Sequence, residues 1–175
     1  MPVGFVRKKP ISVLVLSILG MIIGAFSVLC APVSIFSMVV DLGIPNPQLD
    51  AIKQDPLLKA WYWFAIVQML FFGIWILVAS VGAVTMKRWG RSAMVLYAIV
   101  QTTLSVAGWV GNFLLFRPRI AAAMQGMGTP PPAVWQEAIG WAFGAIILIY
   151  LISVWYVFTR PHILDAYDAA EAAAV

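Results

Sequence analysis

Four stretches without a single charged side chain, residues 10–40, 60–86, 92–116 and 138–159, take up most of this 175-residue chain. Each exceeds the ~20 residues with which a helix crosses a ~30 Å hydrocarbon core. A soluble fold of this length leaves a large share of its residues in water, and an ordinary domain is roughly one-quarter charged. Here 10% of residues are charged and 63% are hydrophobic. A bilayer is the solvent that such runs require. Within it every backbone polar group must be bonded internally, so helices or closed barrels are the choices. None of the runs has the strict alternation of a barrel strand. The predicted fold is all-α, an integral membrane bundle of four transmembrane helices forming one domain over residues 1–175.

The spans are placed at about 11–31, 61–85, 92–116 and 138–159. At 1.5 Å per residue the first charge-free run would extend about 46 Å, too long for one straight crossing. Pro32 lacks a backbone donor and clashes with the preceding turn, so the first crossing is expected to end at Ala31. "PVSIFSMVV" then continues as a kinked end or an interfacial segment. Arg7, Lys8 and Lys9 followed by an apolar run and "AFS" imitate a signal peptide. The apolar run is longer than a signal peptide's and passes beyond that site, so cleavage is not expected. Large Val28 and Leu29 before Cys30 make a poor lipobox.

Loop charge sets the predicted orientation. Seven cations fall on one side: Arg7, Lys8, Lys9, Lys87, Arg88, Arg91 and Arg160. Four fall on the other: Lys53, Lys59, Arg117 and Arg119. Short cation-rich loops stay in the cytoplasm. Both termini, the turn 87–91 and the tail 160–175 are therefore expected inside a cell (inner) membrane, with 41–60 and 117–137 as outer loops. Lys87, Arg88 and Arg91 can also contact anionic lipid, and Trp89 anchors the turn at the interface. Trp61, Tyr62 and Trp63 at one boundary, Trp135 and Trp141 beside them, and Trp155 and Tyr156 at the other form the aromatic belts expected at membrane–water interfaces.

In the first outer loop, Asn46–Pro47 and Asp55–Pro56 each read as an N-cap followed by a first-turn proline. They predict a short helix over 47–54 and a second long helix that starts at Pro56, ahead of the span at 61–85. In the other outer loop a triproline favours a stiff, extended approach to the fourth span, and Glu137 is expected to pair with Arg117 or Arg119. "RPHILDAYDAAEAAAV" reads as a short helix in a solvated acidic tail, with His162 exposed.

The function classes narrow by elimination. Eleven cations spread along the chain make no sustained basic face, so nucleic acid is not an expected partner despite the net charge of +4. One cysteine, Cys30, cannot form an internal disulfide, and Cys30 with His162 falls short of the four ligands of a structural zinc site. Met124 and Met127 are thioethers of the kind that suit Cu(I), but no Cys or His stands near them. No cofactor is expected. None of the four spans contains Asp, Glu, Lys, Arg or His. Proton relays and voltage sensors need ionisable groups there, and general acid–base chemistry lacks its usual players. The chain is not expected to be an enzyme.

Two sets of residues remain. Ser17, Gly20, Gly24, Ser27 and Ala31 recur every three or four positions, so small residues line one face of the first span. Gly20 and Gly24 form a GxxxG pair, and Gly140 and Gly144 form another in the fourth span. Gln101, Ser105, Gly108 and Asn112 share a face of the third span, and the second offers Gln68. Lipid cannot satisfy these polar groups, so they are expected to point inward. There they bond across helices or line a polar site.

"KPISVLVLSILGMIIGAFSVLCAP", "DPLLKAW", "KRWGRSA" and "TRPHILDAY" occur in this order along nearly the whole chain. The arrangement resembles a family of small, uncharacterised bacterial membrane proteins with four helices. The resemblance implies the topology and brings no site. The leading expectation is a non-catalytic multi-pass membrane protein acting by helix association, as a homo-oligomer or as a subunit of a larger membrane complex. The alternative is a small carrier or lipid-binding protein whose polar site is Gln68, Gln101, Ser105 and Asn112. The predicted orientation has a direct check. A cysteine placed within 87–91 resists impermeant thiol labelling from outside intact cells, and strong labelling would reverse the topology.

Overall fold

A computed structural model describes residues 9–40, 46–128, 130 and 134–173. Arg7 and Lys8, the tip of the first loop, most of the triproline and the side chain of Glu137 lie outside them. Among the described residues the secondary structure is helical throughout. The order is α1 (Ile11–Val39), α2 (Pro47–Gln54), α3 (Pro56–Val84), α4 (Arg88–Gly111), a π turn (Asn112–Phe116), α5 (Arg117–Gly126), α6 (Val134–Phe158) and α7 (Pro161–Ala172). Four helical stretches are long and apolar enough to cross a membrane: Ile11–Val39, Pro56–Val84, Arg88–Gly126 and Ala138–Phe158.

The long helices pack in the ring order α1, α3, α4, α6. α1 and α3 run antiparallel with their backbones touching. A Cβ on Gly24 would lie 2.7 Å from the Gly73 carbonyl oxygen, and one on Gly20 would lie 2.4 Å from Ser80 Oγ. α3 and α4 meet at an even tighter point. A Cβ on Gly90 would fall 2.2 Å from the carbonyl carbon of Gly82. The turn between them is a Schellman motif: Lys87 N–H donates to Gly82 O at 2.9 Å and Met86 N–H to Ala83 O at 3.0 Å. Its left-handed position is Met86, with φ of 58°. A side chain costs about 1–2 kcal/mol in that conformation. Met86 is buried in the core, and that burial offsets the cost.

Beyond Ala31 the chain continues as helix. It runs through Pro32 to Val39. Proline forfeits one hydrogen bond, whereas ending the helix would release several groups at once. Beyond Pro32, Val40 N–H still bonds Phe36 O at 2.8 Å, and Ser34 Oγ donates to Cys30 O at 3.1 Å. The third span also outruns its expected end at Phe116. Much of the loop placed at 117–137 is helix, because the π turn precedes Pro118. Arg117 N–H bonds back to Asn112 O, and the widened turn makes room for a ring that would otherwise press on the carbonyl four residues earlier.

The expected short helix is present as α2, with Asn46 Oδ1 accepting from Leu49 N–H at 3.1 Å. α2 packs on α3 and α5 and closes one end of the bundle. Asp55 Oδ1 caps α3 through Leu57 N–H at 2.8 Å and Leu58 N–H at 3.3 Å. Its other oxygen pairs with Arg119 at 3.3 Å. Partial desolvation would raise the Asp55 carboxyl, but these amides and the guanidinium outweigh it and hold the group below its ordinary value. Trp61 and Phe116 stack at 4.4 Å beside this junction.

The tail is not a solvated appendage. Ile163, Ala166, Tyr167 and Ala170 share one face of α7 and pack against the core. α7 lies at the end of the bundle that also carries Lys9 and the α3–α4 turn. His162 is exposed.

The tight hairpin carries a specific expectation. Gly90→Ala forces backbone apart at the Gly82 contact and destabilises the bundle by about 1–3 kcal/mol. Gly108→Ala, where a Cβ meets nothing within 4 Å, leaves stability unchanged or slightly raised. Thermal unfolding in detergent measures both.

Candidate functional site

Three regions hold the polar chemistry, and the first is the end bearing α7. Lys9 Nζ donates to Val84 O at 2.8 Å, the last carbonyl of α3, where the helix dipole favours a cation. Arg88 pairs with Asp168 at 3.0 Å and with Glu171 at 2.5 Å. Tyr167 Oη donates to Ala83 O at 3.0 Å. Burial pushes the Tyr167 phenol above its ordinary range, opposed by the positive charge of Arg91, so it remains a donor. Of the three cations expected at a lipid contact, Arg88 is engaged by the acids of α7. Arg91 sits half-buried near Tyr167, and Lys87 is exposed.

The second region is a buried layer of hydroxyls. Ser17 on α1 and Ser80 on α3 are both fully buried. Tyr150 on α6 donates to Leu16 O at 3.2 Å, and Ser80 Oγ contacts Met94 Sδ on α4 at 3.6 Å. Ser80 Oγ and Tyr150 Oη converge on the bare α-carbon of Gly20, since a Cβ there would meet them at 2.4 and 2.6 Å. Gly20 and Gly24 thus serve contacts within the chain. Neither Ser80 nor Tyr150 belongs to the polar or glycine sets that stand out in the sequence. The spacing of Gly73, Ser80 and Ala83 with Ile76 was the available signal, because it marks a small-residue face on α3 that matches the one on α1. Ser17 Oγ has no hydrogen-bond partner. Among the described residues the buried polar side chains are Ser17 and Ser80, and the bond from Tyr150 to Leu16 O ties α6 to α1.

The third region is the predicted polar stripe, whose members differ in burial. Gln68, Gln101 and Ser105 are half-buried, and Asn112, in the π turn, is exposed. Gln101 Oε1 is buried without a hydrogen-bond partner. The second glycine pair is also split. Gly144 packs on the Trp109 ring, while a Cβ on Gly140 would meet nothing within 4 Å. Trp109 and Trp141 make an edge contact at 5.8 Å between them. Among the described residues, no three of His, Cys, Asp and Glu come together as a metal site would need.

Docking of α7 rests mainly on Ile163 and Tyr167, because ion pairs this exposed contribute about 0–1 kcal/mol. Tyr167→Phe costs about 0.5–1.5 kcal/mol through the lost bond to Ala83 and accelerates proteolysis beyond Arg160. Arg88→Gln has the smaller effect in the same assay.

No family model, curated protein or solved structure matches this chain.

Proposed function

We propose that this chain is a non-catalytic multi-pass membrane protein that acts by association, with copies of itself or as a subunit of a larger membrane complex. The observation that carries the reading is the unequal burial of its helices. The most apolar window of α1 is 28% buried and that of α3 33%, but those of the α4–α5 stretch and of α6 are each 17%. The latter two leave Gly108 and Gly140 open to close approach, and they expose Asn112 among Phe113, Leu114 and Leu115. An exposed amide within an apolar stretch has no partner in lipid, and small residues let another helix come near. The reading places the chain in a bacterial inner membrane with both termini inside, in keeping with the loop charges, and with lipids around its exposed apolar faces.

The alternative, a carrier with a polar intramembrane site, draws its support from Gln101, whose buried carbonyl oxygen lacks a donor. Native mass spectrometry of the protein gently extracted from its own membrane separates the two. Copurifying subunits or a discrete homo-oligomer support association; a monomer with a defined extra mass supports a carrier. Under the association reading, Asn112→Leu combined with Gly140→Ile weakens the assembly about 3- to 20-fold, in line with interhelical polar contacts that average ~0.6 kcal/mol and reach ~1.7. The monomer's own stability stays unchanged. An assembly unaltered by both substitutions would refute this surface.

A further inference from the structure

A groove of about 560 Å³ opens between the start of α1 and the corner joining α6 to α7, lined by Ser12, Tyr156, Val157, Arg160, Pro161 and His162. Its occupant can be deduced from charge and from what adjoins it. The Arg160 guanidinium lies 3.8 Å from the centre of the Tyr156 ring. Stacking of this kind holds the guanidinium in place and leaves its N–H edge open to an anion. Arg88 and Arg119 have carboxylate partners, whereas Arg160 has none among the described residues. The backbone adds to this field. α1 and α7 both begin at the groove without a side-chain cap and without an acid in the first turn. Pro161 has no N–H, and Ile163 and Leu164 both donate to Arg160 O. The His162 amide therefore stands as the first open donor of α7. Helix starts of this kind favour an anion.

Apolar surface continues directly from this basic pocket. Val15 and Leu19 lie one and two turns along α1 from Ser12, and Ile152 and Ile149 lie one and two turns back along α6 from Tyr156. All four are exposed. A free anion would use the pocket and leave those flanks unused, whereas a lipid with one phosphate and two acyl chains uses both. We propose that this groove binds the phosphate of an anionic glycerophospholipid between Arg160 and the first turns of α1 and α7, with the acyl chains lying along α1 and α6. The site is separate from Lys87, Arg88 and Arg91 and does not depend on the association reading.

The test is a titration of the delipidated full-length chain, as monomer in detergent, with phosphatidylglycerol, phosphatidylcholine and inorganic phosphate, read by native mass spectrometry. One phosphatidylglycerol binds in preference to phosphatidylcholine, and millimolar inorganic phosphate fails to displace it. Arg160→Gln weakens binding at least tenfold. Ser12→Phe, which fills the groove and leaves the charge unchanged, weakens it as much, while Arg119→Gln at the opposite end has no effect. Thermal unfolding verifies that each variant is folded. Equal binding by the Ser12→Phe variant would overturn the proposal in favour of diffuse attraction to basic residues. Displacement by inorganic phosphate would overturn it in favour of a free-anion site. Equal affinity for the two lipids would also overturn it.

Discussion

Direct contact between helix backbones at α3 is the interaction on which this architecture depends. Gly73 meets Gly24 of α1 on one side, and Gly82 meets Gly90 of α4 on the other. Larger side chains at either place would separate the axes and pull apart the layers built on them. Ser80 lies between these contacts and reaches both neighbours, with Gly20 on α1 and Met94 on α4. Phe72, Trp75 and Tyr97 then fill the α3–α4 interface with ring contacts. Trp75 Nε1 donates to Ala93 O at 3.2 Å in the same interface. α6 is held less tightly. Tyr150 bonds it to α1, Trp141 meets Trp109 of α4, and Leu151, Val154 and Phe158 enter the shared core.

The end bearing α7 shows how boundary charges acquire structural work. Lys9 satisfies an orphan carbonyl of α3, and Arg88 binds the acids of α7. The tail is tied to the hairpin by Tyr167 and Ile163. Cations that set the predicted orientation therefore also close one end of the bundle. α2 and α5 close the other through Asp55 and Arg119. Apolar side chains are left outward along the length between these ends. That distribution suits a lipid environment and is the reason for reading both an association face and a lipid groove from the outer surface.

Local chemistry made much of this visible in the sequence. Charge-free runs marked the long helices, because nothing shorter than a span needs such length. Asn46–Pro47 and Asp55–Pro56 marked two helix starts, because capping is decided within four residues. The errors came where neighbours outvoted local signals. Pro32 reads as the end of a crossing, with a kinked end or an interfacial segment beyond it, and the structure carries the helix on to Val39. Arg117 and Arg119 read as the start of an outer loop, yet one π turn carries the helix on to Gly126. α7 reads as a polar tail when its acids are counted, but Ile163 and Tyr167 have a surface to meet only after the hairpin forms.

The residues at the candidate sites divide along the same line. By itself the sequence determined the helical class, the four apolar stretches, the two capped starts and the glycine faces. All of these follow from burial, backbone hydrogen bonding and spacing along a single helix. The tertiary structure alone decided which faces meet. It spent Gly20 and Gly24 within the chain, left Gly140 open, turned Asn112 outward and joined Arg160 to Ser12 across one groove. Side-chain spacing describes one helix at a time, whereas these outcomes depend on the relative rotation of two helices, which close packing between them sets.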